Sequence, residues 1–119
     1  MANHNTKGIK RIFNAFFFSL AGFKASWQHE EAFRQEVLLF LVTAPLAVWL
    51  GENNIERLLL IGSMILVLVT ELLNSAVESV VDRVGLEHHE LSGRAKDIGS
   101  AAVFLTLAWA AVTWIMILV

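Results

Sequence analysis

Near the start of the chain, apolar residues recur as Ile9, Ile12, Phe13, Phe16, Leu20, Phe23 and Trp27, the spacing of one helix face. Lys7, Lys10, Arg11, Asn14 and Lys24 fall largely off that stripe. An aromatic stripe with basic flanks predicts an amphipathic helix over residues 9–28 lying in a membrane interface. An amphipathic core helix has the same pattern. The segment is preceded by polar residues 1–8 and is not a secretory signal, because no continuous apolar core with a small-residue cleavage site follows the basic start.

After the polar stretch HEEAFRQE the pattern changes from a stripe to apolar runs. Val37 to Leu50 is apolar but for Thr43 and Pro45, and extending it back to Ala32 approaches the ~20 residues of a membrane span. Pro45 predicts a kink that a membrane helix tolerates. Glu30–Arg34 and Glu31–Arg34 are spaced to form ion pairs at the mouth of this span. Gly51-Glu52-Asn53-Asn54 reads as a turn. A second run continues, with polar punctuation, to Val84, where Gly85 and Leu86 read as a helix C-terminal cap with its hydrophobic contact. From 57 to 84 such a helix is roughly 42 Å long, more than a ~30 Å hydrocarbon core, so it must tilt or protrude. A polar linker, Glu87 to Asp97, leads to a third span ending at Val119. Small residues at its start (Gly99, Ser100, Ala101, Ala102) permit close helix contact. The expected architecture is one all-α membrane domain over 1–119: a surface helix at 9–28 and transmembrane helices at about 32–50, 57–84 and 97–119.

Composition agrees. Hydrophobic residues make up 56% of the 119 and charged residues 17%, below the ~25% charged of soluble domains. The net charge of -2 gives no sign of a nucleic-acid partner. The absence of cysteine excludes disulfides and thiolate metal sites. Lys7, Lys10, Arg11, Lys24 and Arg34 precede the first span, and Arg83, Arg94 and Lys96 lie between the second and third. Only Arg57 lies in the remaining loop. The positive-inside rule then places the N-terminus and the second loop in the cytoplasm.

The chemistry sits between Thr70 and Asp97. Glu71, Asn74, Glu78 and Asp82 share a helix sector of roughly 80°. An intramembrane acid is costly and suggests function by default. Glu71 lies within or near the inner leaflet, while Glu78 is ~10.5 Å further along the same face, toward water. One carboxylate can thus meet a lipid hydroxyl and the other a cytosolic solute. Glu30 and Glu36 sit at the same level, and carboxylates with phosphate oxygens are the ligands Mg²⁺ prefers. Arg11, Arg94 and Lys96 are available cations for a polyphosphate. Glu87, His88, His89 and Glu90 do not make a convincing zinc site. No GxxxxGK[ST], GxGxxG or HExxH occurs. On these grounds a phosphate-handling enzyme, a cation or proton transporter and a structural membrane subunit all remain open.

The runs ELLNSAVESVVDRVG and HELSGRAKDIGSAAV, with EAFRQE upstream and TW near the C-terminus, closely resemble the bacterial integral-membrane diacylglycerol kinase family. The resemblance covers nearly the whole chain. It implies a homotrimer of three-span subunits in the bacterial inner membrane, with active sites shared between neighbours. The implied reaction is ATP- and Mg²⁺-dependent phosphorylation of diacylglycerol, or of undecaprenol in related proteins. By motif, Glu71 is the implied general base and Asn74 orients the site. Glu30 and Glu78 are implied Mg²⁺ ligands. The implied ATP-binding positions are Arg11, Phe18, Glu30, Glu78, Glu87, His88, His89, Lys96 and Asp97. Arg11, Glu36, Arg57, Glu71, Ser100 and Trp114 are implied lipid-substrate positions.

Overall fold

The computed structural model describes residues 7–119; the polar start at residues 1–6 lies outside the described residues. Four helices follow one another: α1 (Gly8–His29), α2 (Glu31–Leu50), α3 (Asn54–Val84) and α4 (Glu90–Leu118). The last three are each long and apolar enough to cross a membrane.

Each helix boundary has a local cause. Gly8 opens α1 at a φ of 67°, a left-handed value suited to glycine. Glu30 breaks α1 from α2 by taking an extended conformation, φ -120° and ψ 107°. Beside the break, Arg34 does not pair with Glu30 or Glu31. Its Nη1 donates to the Trp27 carbonyl at 2.7 Å and to the Gln28 carbonyl at 3.3 Å. The orphan carbonyls at the end of α1 outcompete the neighbouring acids because they need a donor and lie within the guanidinium's reach. α2 runs through Pro45 as one element.

α3 starts three residues earlier than the apolar pattern implies. Asn53 caps it, its Oδ1 accepting from the Glu56 amide at 2.9 Å. At the far end Gly85 caps α3 as expected, its amide donating to the Val81 carbonyl at 3.4 Å from extended backbone, φ 175°; Leu86 beyond it is exposed rather than packed. The larger difference is at α4. The ELSGRAKD segment is not a linker but the first two turns of the helix. His89 caps them, with Nδ1 accepting from the Leu91 amide at 3.1 Å. Polarity alone does not separate a loop from a helix that protrudes into water.

α3 packs most extensively on α4, then on α2, while α1 meets α2 around the hinge. The small core contains Met64, Val67 and Ala110, with Phe40 and Trp114 against it. The indole Nε1 of Trp114 donates to the Leu60 carbonyl at 3.3 Å, tying α4 to α3. Much of the apolar surface faces outward. Trp49 is 78% exposed and Phe104 72%, as expected of helices with lipid or further subunits as surroundings.

A carboxylate cluster at one end of the long helices

Glu71 is buried in the middle of α3, only 5% exposed. Asn74 and Glu78 follow on its face and are half-buried; Asp82 is exposed. Three further elements bring groups toward this face. The hinge contributes Glu30, which with Glu78 lies close enough to Glu71 to act on it electrostatically. α2 contributes Glu36, which lies close enough to Glu71 to feel its charge and has a buried carboxylate oxygen, Oε2, with no hydrogen-bond donor among the described residues. α4 contributes Lys96, whose Nζ lies 2.8 Å from Asp82 Oδ1. Acids from the hinge and from α2 thus face the acidic face of α3, at whose water-exposed end Lys96 pairs with Asp82. Among the described residues no three acidic or imidazole side chains form a metal cluster.

Two clefts flank the cluster. One, of about 470 Å³, lies between α1 and α3; Phe23, Ser26 and Glu30 line one wall and Leu72, Ser75 and Ser79 the other. The hydroxyls of Ser26 and Ser75 are buried without partners. The second, about 230 Å³, opens where α3 ends and α4 begins. It is lined by Asp82, Glu87, His88, His89, Ser92 and Lys96 among others.

The expected site residues thus divide. Glu30, Glu36, Glu71 and Glu78 come together, and Asn74 lies on the same face. Glu87, His88, His89 and Lys96 share the second cleft, with Asp97 exposed beside Lys96. Ser100 is exposed on α4 next to the glycine that meets Asn74. Arg11 and Phe18 are exposed on α1 and line neither cleft. Arg57 sits ~21 Å along α3 from Glu71. There its Nε donates to the Val48 carbonyl at 3.0 Å and its Nη1 to Asn54 Oδ1 at 3.1 Å, closing the α2–α3 turn. Trp114, opposite Leu60, is likewise far from the acids. Sequence reasoning passed over Ser26 and Ser75, since lone serines in helices carry no chemical signature. It marked Gly99 as a small residue permitting close helix contact, but not that the group it meets is Asn74.

The model of the family described as prokaryotic diacylglycerol kinase matches residues 17–118. A "Diacylglycerol kinase" of Escherichia coli (strain K12) is 52% identical over 118 residues, covering 99% of this chain and 96% of the relative. Relatives of the same name from Haemophilus influenzae and Pseudomonas aeruginosa are 50% and 54% identical, each over 111 residues. The chain belongs to the prokaryotic diacylglycerol kinase family. It is therefore a kinase, a phosphotransferase, and the transporter and structural-subunit readings give way. Phosphoryl transfer asks a protein for positioning, charge neutralisation and an oriented nucleophile rather than covalent chemistry.

Proposed function

We propose that the protein transfers the γ-phosphoryl group of ATP to the free hydroxyl of diacylglycerol at the cytoplasmic face of the bacterial inner membrane. Phosphatidic acid and ADP are the products. The observation that carries the reading is a Glu71 buried in a membrane-spanning helix, with Asn74 and Glu78 following on its face and Glu30 lining the cleft beside it. On the positive-inside orientation Glu71 falls within or near the inner leaflet, where a lipid hydroxyl can reach it. The exposed ends of α3 and α4 are open to a nucleotide from water.

In this reading Glu71 accepts the hydroxyl proton as the lipid oxygen attacks the γ-phosphorus and the bond to ADP breaks. Asn74 orients the reacting groups. Glu30 and Glu78 are hard oxygen donors suited to Mg²⁺. Two carboxylates do not make a full cage, but Mg²⁺ is commonly held by one or two carboxylates completed by substrate phosphates. When bound, the ion neutralises phosphate charge. Lys96 and Asp97, with Glu87, His88 and His89 around the second cleft, hold the nucleotide. Glu36 and Ser100 flank the lipid. Arg11 serves as a phosphate contact and Phe18 lies near the nucleotide; both are supplied to the site in a homotrimer whose active sites span neighbouring subunits. Both side chains are exposed and line neither cleft of a single chain, which leaves them free to face a neighbouring copy. Arg57 and Trp114, at the opposite end of the spans, contact the lipid through its acyl chains. The excess of Lys and Arg on one side supports a cytoplasmic N-terminus.

The test is purified protein in mixed micelles given Mg·ATP and either diacylglycerol or undecaprenol. Lipid phosphate is expected with diacylglycerol. Faster phosphorylation of undecaprenol would reassign the acceptor, and no lipid phosphate with either would overturn the kinase reading.

A further inference from the structure

Gly99 lies in the interior of α4, where glycine weakens a helix. A side chain at this position would meet Asn74 of α3. A Cβ built there would collide with Asn74 Oδ1 and stand 3.1 Å from its Cγ. Other helical glycines have open space instead: Gly22, Gly62 and Gly93 have nothing within 4 Å of such a Cβ. Asn74 Oδ1 is itself buried and accepts no hydrogen bond within the described residues. The amide is therefore held in place by shape, pressed into the gap that the missing Cβ leaves, rather than by a donor. Gly99 also lies between the residues for which α4 is needed, Lys96 and Asp97 on one side and Ser100 on the other.

We propose that Gly99 is a positioning residue for phosphoryl transfer: its bare backbone fixes where the Asn74 amide stands on the Glu71–Glu78 face. This rests on the kinase reading above. The contact is with the far end of a flexible side chain, not with backbone. A methyl group at position 99 can therefore be accommodated by swinging the amide aside, with the α3–α4 packing kept. The fold survives and the site loses its alignment. A glycine retained only for close helix packing behaves in the opposite way: a methyl there forces the helices apart and stability falls first.

The test uses full-length protein in mixed micelles, with kcat and KM for ATP and for diacylglycerol measured alongside thermal stability. Four forms are compared: wild type, Gly99→Ala, Asn74→Ala and the double variant. Gly99→Ala is expected to keep the wild-type melting temperature and the KM for ATP while kcat falls roughly tenfold to a hundredfold, the scale of a misplacement near 1 Å. The double variant is expected to turn over no more slowly than Asn74→Ala alone, since the glycine acts through the asparagine. Wild-type kcat in Gly99→Ala overturns the proposal. So does a double variant whose loss is the product of the two single losses, or a Gly99→Ala protein that no longer folds. Absence of lipid phosphate from the wild type removes the kinase reading and this role with it. Wild-type turnover matched by Gly99→Ala removes this role alone.

Discussion

At the scale of single residues, Glu71 and Glu78 differ in burial although they share a helix face two turns apart. Burial suits Glu71 to a hydroxyl at the headgroup, and partial exposure suits Glu78 to an ion arriving with a nucleotide. Glu71→Gln keeps shape and volume but removes the proton acceptor. Its kcat is expected to fall by about 10²–10⁴-fold, the usual contribution of a general base, with nucleotide binding little changed. Lipid-phosphate assays beside an ATP-binding titration check this, and wild-type turnover would remove Glu71 as the base. Glu78→Gln is expected instead to raise the Mg²⁺ concentration for half-maximal activity by about tenfold or more, since even the partners of metal ligands act on that scale. An unchanged Mg²⁺ dependence would remove it as a ligand. The shared face of these two acids was legible from their spacing. The level of Glu30 and Glu36 was legible too, from their place at the mouth of the first span; how they face α3 was not, because that depends on the hinge at Glu30 and on how α2 lies against α3.

At the scale of elements, the helix ends were read least well. Apolar runs mark where a helix meets lipid, whereas a helix ends where its last backbone groups find other partners. Asn53 and His89 supply such partners and start α3 and α4 earlier than hydropathy implies. The consequence for the site is direct: with ELSGRAKD helical, Lys96 has a fixed direction and reaches Asp82 across the helix pair. Asn53→Ala is expected to cost about 1 kcal/mol, the usual worth of an N-cap. The cost should appear as a lower melting temperature in detergent with kcat unchanged, because Asn53 lies at the end of α3 remote from the acids. A fall in kcat at constant stability would contradict this division. Arg57 acts at a helix end in the same way, its Nε donating to the Val48 carbonyl and closing the turn after α2.

At the scale of the molecule, the subunit is a thin assembly, 47 × 42 × 21 Å, with a small core and much apolar surface left outside. Such a shape buries little of itself, which fits lipid and neighbouring copies as the remaining contacts. The proposed completion of the site between subunits can be tested by complementation. Inactive Glu71→Gln protein and inactive Arg11→Ala protein, unfolded together and reassembled in mixed micelles, are expected to recover activity. Some interfaces in the mixed oligomer would then carry both intact residues. Cross-linking of the wild type should trap a trimer. No recovery on mixing, with trimers formed, would place Arg11 and Glu71 in the same subunit's site.

The sequence alone determined the solvent of the chain, the number of spans and the face that carries Glu71, Asn74, Glu78 and Asp82. Hydropathy and helical period are local properties, and each survives whatever the helices later pack against. Only the tertiary structure decided which groups meet that face: Glu30 across the hinge, Glu36 from α2, Lys96 against Asp82, and Gly99 against Asn74. Those meetings depend on cap geometry and on contacts between residues far apart in the chain, where a missing Cβ or one carbonyl in need of a donor sets the position.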